Sequence, residues 1–254
     1  MAKLYDARTR NLHYQRALAS GPATFLQDRC LDDILDRLAS MSRTFRHILL
    51  VGGFASSAMR ALEPMGARID HLLPAHGDLS DIHGTPIAYD PGTFDLIIVL
   101  GALDTLNGLE EALLRLRFLL KPDSPMLGVV PGGDTLATLR RALLDLDART
   151  GVTSPRAHPR IDPAGLTQLL ASAGFRMPVV DVDRLVLRYS GLTDLVRDLR
   201  AMAATNCLAE RSKSYLGREA MDFLQHRFAA ERREGKTPER LDLLHFIGWS
   251  GETG

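Results

Sequence analysis

The stretch Arg46-His47-Ile48-Leu49-Leu50-Val51-Gly52-Gly53-Phe54-Ala55-Ser56-Ser57-Ala58 decides how the rest of the chain is read. Its apolar run, Ile48 to Val51, ends in two glycines and flows into a small-residue segment, Ala55 to Met59, that can open a helix. Strand, glycine turn and helix in that order begin a nucleotide-binding α/β sheet. The glycines let the backbone turn sharply and come close to a ligand.

Downstream, Thr93 to Leu100 (TFDLIIVL) is a continuous apolar run flanked by turns, which predicts a central parallel strand buried on both faces. A second strand is expected within Met65–Leu73, ending near Asp70, and further strands at Pro125–Val130, Val179–Tyr189 and Leu241–Trp249. Helices are expected at Asp6–Ala19, Ala23–Met41, Ala55–Leu62, Leu109–Leu120, Thr135–Asp147, Pro163–Ala173, Leu192–Ala204 and Arg218–Arg233. Asn107, Asp134 and Asp162 are placed to cap the helices that follow them. Pro74 to Pro91 reads as loop.

The 254 residues carry 31 basic and 31 acidic side chains, so net charge gives no pull toward nucleic acid or an anionic membrane. No apolar run approaches the ~18 residues that a membrane span needs, so no integral membrane segment is expected. Cys30 and Cys207 are too few for a disulfide framework and lack metal-ligand spacing, which predicts a reducing cytoplasm. His71, His76, Asp78, Asp81 and His83 crowd one loop, but their spacing matches no recognised pattern, and no metal is expected. No Ser-His-Asp set, P-loop or redox cysteine pair stands out, and no residue identifies itself as catalytic.

With these residues laid out, the chain resembles the class I S-adenosylmethionine-dependent methyltransferases. More closely it is similar to the mitochondrial complex I assembly factor 5 family and its alphaproteobacterial relatives, and more distantly to the biotin-pathway methyltransferase. Phe94-Asp95-Leu96-Ile97 and Leu120-Lys121-Pro122-Asp123 are general to the superfamily. Narrower are Gly132-Gly133-Asp134-Thr135-Leu136 with Leu139-Arg140, Gly174-Phe175, Val180 to Asp183, Tyr189, Asp198 to Met202, Asn206 and Ile247-Gly248-Trp249. The resemblance implies a seven-stranded Rossmann-like α/β sheet, with a helical N-terminal extension over residues 1–45. The α/β domain would fill 46–254, with a helical cap over roughly 134–235.

The resemblance also implies function: an S-adenosylmethionine cofactor and a protein substrate or assembly partner, which in this branch is a complex I subunit whose arginine is hydroxylated. Its cofactor contacts would be Gly52, Gly53, Asp70, Asp81 and Leu100, with Asp78 an alternative to Asp81. Its substrate cleft would hold Asp104, Gly132, Gly133, Asp134 and Thr135. The first motif departs from the family pattern. An acid in strand one and Gly-x-Gly-x-Gly are expected where this chain has Leu50, Gly52, Phe54 and Ser56. The Phe54 ring either swings outward or plugs the site. Between this turn and Phe94 the chain is also about a dozen residues shorter than the pattern, so the helix after strand two is expected to be lost or reduced. Two functions remain open: a cofactor-dependent modifying enzyme, or a non-catalytic assembly or binding protein on the same fold.

Overall fold

A computed structural model describes residues 3–73 and 89–251. The strands and helices, in chain order, are α1 (Ala7–Ser20), α2 (Phe25–Ala39), β1 (His47–Gly52), α3 (Ala55–Leu62), β2 (Arg68–Leu72), β3 (Leu96–Leu100) and α4 (Leu109–Leu119). They continue with β4 (Pro125–Pro131), α5 (Ala137–Thr150), α6 (Pro163–Ser172), β5 (Arg176–Tyr189), α7 (Leu192–Ala201), α8 (Arg218–Ala229) and β6 (Thr237–Trp249). The chain divides into two compact units. One holds Met1–Ala23, Gly132–Arg160 and Asp183–Leu243, and the other Thr24–Pro131, Ile161–Val182 and Leu244–Gly254. They are called the helical unit and the sheet unit below.

The strand order is β2-β1-β3-β4-β6-β5, an α/β sheet as expected. Six strands are found among the described residues, against seven expected. The stretch 74–88, between β2 and β3, lies outside the described residues. β5 and β6 run 14 and 13 residues, starting earlier than the sequence pattern predicts. Their added N-terminal residues, Arg176 to Pro178 and Thr237 to Arg240, carry prolines and charges that hide the strand period.

In the sheet unit β1 lies between β2 and β3, parallel to both, with Leu49 opposite Asp70 and Ile97. All five residues of β3 are buried, as a strand covered on both faces must be. Alternate side chains point to opposite faces. Leu49, Val51, Ile97 and Val99 join a core with Leu113 and Leu116 of α4 and Leu166 and Leu170 of α6. On the other face α2 lies against β3, β4 and α3. Asp95, just before β3, accepts from the backbone N–H groups of Arg46 and His47 at 3.1 and 3.0 Å, which fixes where β1 enters the sheet.

Two helix starts differ from expectation. Gly108, in a left-handed conformation (φ 68°), occupies the cap of α4, and Asn107 stands one residue outside. α5 begins at Ala137 after Leu136 turns left-handed (φ 61°), so Asp134 is too far back to reach its free N–H groups. Asp162 does cap α6, accepting from Gly165 N–H at 2.7 Å. In the helical unit α1 packs on α7, and α8 packs on both α5 and α7. The core of this unit centres on Phe228, Leu146 and Leu195. Among the described residues no helix is long and apolar enough to cross a membrane.

Gly128 of β4 has a steric reason. A Cβ there would lie 2.5 Å from the Phe246 ring and 2.8 Å from the Val99 carbonyl oxygen. Gly128→Ala is expected to lower stability by about 1–3 kcal/mol, read as a lower urea midpoint with the far-UV spectrum unchanged.

Candidate functional site

The sequence pattern points to the turn after β1, at the carboxyl edge of the sheet, where open α/β sheets bind ligands. Gly52 and Gly53 are both left-handed, with φ of 78° and 67°. At Gly52 the requirement comes from packing as well, since a Cβ would lie 2.6 Å from both Ala102 Cβ and the Leu100 carbonyl oxygen. The structure therefore brings Gly52, Gly53 and Leu100 together at one edge. Asp104 follows on the same edge, in the short 3-10 turn Leu103–Thr105.

Phe54 turns inward and is 5% exposed. Gln27 of α2 stands on its backbone: Phe54 N–H donates to Gln27 Oε1 at 2.5 Å, and Gln27 Nε2 donates to the Phe54 carbonyl at 3.1 Å. The same amide oxygen lies 2.9 Å from where a Gly53 Cβ would be. Ser57 donates a further hydrogen bond to Asp28. Two side chains of α2 thus tie down the start of α3, whose N-cap residue supplies no side-chain cap. Nothing in the local spacing marks Gln27, because its partner lies 27 residues away.

Asp70 is paired in register with Leu49, three residues before Gly52, so it stands roughly 10 Å back along the sheet from the turn. β2 continues beyond it to Leu72, later than the expected end near Asp70. Its carboxylate accepts from His47 Nε2 at 3.0 Å and from Arg68 at 3.2 and 3.3 Å. Burial pushes the Asp70 carboxyl up, but the hydrogen bonds and charges of His47 and Arg68 outweigh it and hold the group below the usual carboxylate range. The residue at the strand edge is His71, whose Nε2–H donates to the Gly52 carbonyl at 2.8 Å. His76, Asp78, Asp81 and His83 lie outside the described residues.

Gly132, Gly133, Asp134 and Thr135 belong to the helical unit. There the turn is stitched to β6. Gly132 N–H donates to the Asp242 carbonyl at 2.7 Å, and the buried Thr135 hydroxyl both donates to that carbonyl and accepts from Asp242 N–H. Asp134 is exposed and pairs with Arg240 at 3.3 Å. The cap expected of Asp134 comes instead from Glu239, fully buried, whose two oxygens accept from Thr138 and Leu139 N–H at 3.0 and 2.9 Å. Burial pushes the Glu239 carboxyl up, against these backbone bonds that favour its ionised form.

S-adenosylmethionine is the cofactor that the motif pattern implies, and among the described residues the turn after β1 departs from that pattern. The motif place of a glycine holds a buried ring, the backbone beside it is taken by Gln27, and the buried Leu50 stands where the pattern has an acid. Asp70, one of the expected cofactor contacts, pairs with His47 and Arg68.

No family model matches the chain. It is 34% identical over 180 residues to the mouse mitochondrial arginine-hydroxylase NDUFAF5, a match covering 70% of this chain and 52% of the relative. It is 30% identical over 170 residues to the malonyl-[acyl-carrier protein] O-methyltransferase of Laribacter hongkongensis, covering 67% of this chain and 55% of the relative. The chain thus spans about half the length of these two curated relatives. A crystal structure of a candidate methyltransferase of Bacillus halodurans is similar in fold, with a TM-score of 0.54 and 11% identity, covering 87% of this chain and 98% of that one.

Two tests follow from this geometry. Asp70 is 15% exposed and its carboxyl is depressed in the fold, so its share of stability is present above the ordinary carboxylate value and is lost as pH falls through the depressed one. Asp70→Asn should cost about 1–3 kcal/mol at neutral pH. The gap from the parent should close below about pH 4 in urea titrations run across pH. Glu239→Ala strands two buried N–H groups and should cost at least ~2 kcal/mol by the same measurement.

Proposed function

The chain belongs to the class I S-adenosylmethionine-dependent methyltransferase superfamily and is NDUFAF5-like within it, and on that premise we propose that it is a non-catalytic assembly protein. In this reading the fold is kept, its own side chains close the cofactor turn, and its work is to hold a protein subunit of a respiratory complex. The observation that carries the reading is the pairing of Gln27 with both backbone groups of a buried Phe54. The backbone that would have to approach a cofactor is already hydrogen-bonded and already covered. Opening it would leave a buried amide without partners and a phenyl ring in water, which together cost several kcal/mol.

The relatives' activities do not fix the chemistry here, since one is called a hydroxylase and the other a methyltransferase on related sequences. The respiratory-complex partner follows the NDUFAF5 likeness. That Cys30 and Cys207 are not joined in a disulfide fits the cytoplasmic placement that goes with this reading.

A second reading, cofactor-dependent modification of that protein partner, is favoured by the left-handed Gly52-Gly53 turn, which keeps the form such a site uses. Calorimetric titration of the whole protein with S-adenosylmethionine and S-adenosylhomocysteine separates the two. No heat of binding at millimolar ligand is the expected result. Micromolar binding, weakened by Gly53→Val, would overturn the assembly reading and establish the second.

A further inference from the structure

Helix α4 of the sheet unit is apolar on two sides. Its inner side, Ala112, Leu113, Leu116 and Leu119, is buried in the core of that unit. On its outer side Leu114 and Phe118 are 42% and 63% exposed. They are four residues apart, so their side chains share one helical face. Glu111, also exposed, lies one turn before Leu114 on the same face. The spacing from Glu111 through Leu114 to Phe118 is three and then four, which is that of a helix–helix seam. A lone exposed leucine needs no explanation, but two large apolar side chains in line mark a surface that another element can cover.

The charges of α4 are sorted by end. Glu110 and Glu111 stand in its first turn and Arg117 in its last. Just past the helix comes the exposed Lys121, with Nζ 3.5 Å from Asp95. Lys121 and Phe118 both neighbour Gly92. Its N–H donates to the Phe118 carbonyl at 3.1 Å, and a Cβ on it would lie 4.0 Å from Lys121 Cα. Acids first and bases last also suit the helix's own dipole. The dipole does not call for leucine and phenylalanine between them.

Such a face is complementary to itself when turned end for end. A two-fold axis beside α4, at the level of Leu116, sets two copies of the helix antiparallel, and the same patch then serves both. Leu114 of each copy faces Phe118 of the other, and Glu111 faces Lys121, because both pairs are centred on Leu116. Arg117 is turned aside toward Gly174, where a Cβ would lie 3.0 Å from its Nε. The half-buried Arg115 comes near its own counterpart across the axis, a like-charge approach that limits how tightly the pair can close. An 11-residue helix against its copy also covers less than the ~1,200 Å² of a stable interface.

We propose that the outer face of α4 is a docking surface for a second copy of this chain, packed antiparallel about a two-fold axis into a weak, reversible dimer. The inference is independent of the assembly and cofactor readings, since it uses only α4 and the turn after it.

The test is sedimentation velocity on the whole protein from ~10 µM to ~1 mM, at low and high salt. A reversible dimer with a dissociation constant of about 100 µM is expected, weaker at high salt, because small interfaces are transient and exposed charge pairs are screened. Phe118→Glu, at a position already exposed, should keep the far-UV spectrum and stay monomeric throughout. Glu111→Lys and Lys121→Glu should each weaken the dimer about tenfold, since each sets like charges opposite one another. An equimolar mixture of these two variants restores opposite charges at both ends of the seam and should pair about as tightly as the parent. A parent protein that stays monomeric to ~1 mM, or a dimer that survives Phe118→Glu, would overturn the proposal. A mixture that pairs no better than its two components alone would overturn the antiparallel register. Phe118→Glu needs no other variant, so loss of fold in Lys121→Glu, which faces Asp95, does not remove the test.

Discussion

The sheet unit depends on β1 lying beside β3 at hydrogen-bonding distance, deep enough that water cannot stand in for a missing partner. The chain pins this pairing at both ends. At the entry Asp95 gathers the N–H groups of Arg46 and His47, and Lys121 closes on the same carboxylate at 3.5 Å. At the exit Gly52 lets the chain pass within 2.6 Å (measured from a notional Cβ) of Ala102 and the Leu100 carbonyl. A side chain at Gly52 would push β1 away from β3. The acid of the superfamily motif at Phe94–Ile97 therefore serves the register at the edge opposite the turn.

That double pinning explains how a motif can be worn and the fold kept. Packing alone demands Gly52, so the first glycine persists whether or not a ligand comes. The later motif places carry no such demand. At one of them Phe54 adds buried apolar surface, and Gln27 satisfies the backbone that a ligand would otherwise meet. A fold supports many functions because the site is a separable layer on it.

The narrower family residues turn out to be ties across the chain. Gly248 clears space for Phe175, whose Cβ would otherwise lie 2.9 Å from a side chain. Burial, together with the charge of the Asp198 carboxylate, pushes the Tyr189 hydroxyl pKa up. Asn206 holds Pro155, and Thr135 holds Asp242. Three of these ties join residues 51 or more positions apart in sequence.

The amino-acid sequence by itself determined the α/β class, the central strand at Leu96–Leu100, the glycine turn and most helix positions. Those follow from hydrophobic period and from backbone rules that act over a few residues. It also made Asp162 legible as a cap, because a cap and its N–H partner are three residues apart. Only the tertiary structure decided that Glu239 rather than Asp134 serves α5, and that Gln27 covers Phe54. The same holds for Asp70, which faces His47 and Arg68. The partners in these contacts are separated by up to 101 residues, and no spacing rule spans such a distance. What chooses among many candidate acids and amides is which one the packed sheet and helices carry to a buried N–H that water can no longer reach.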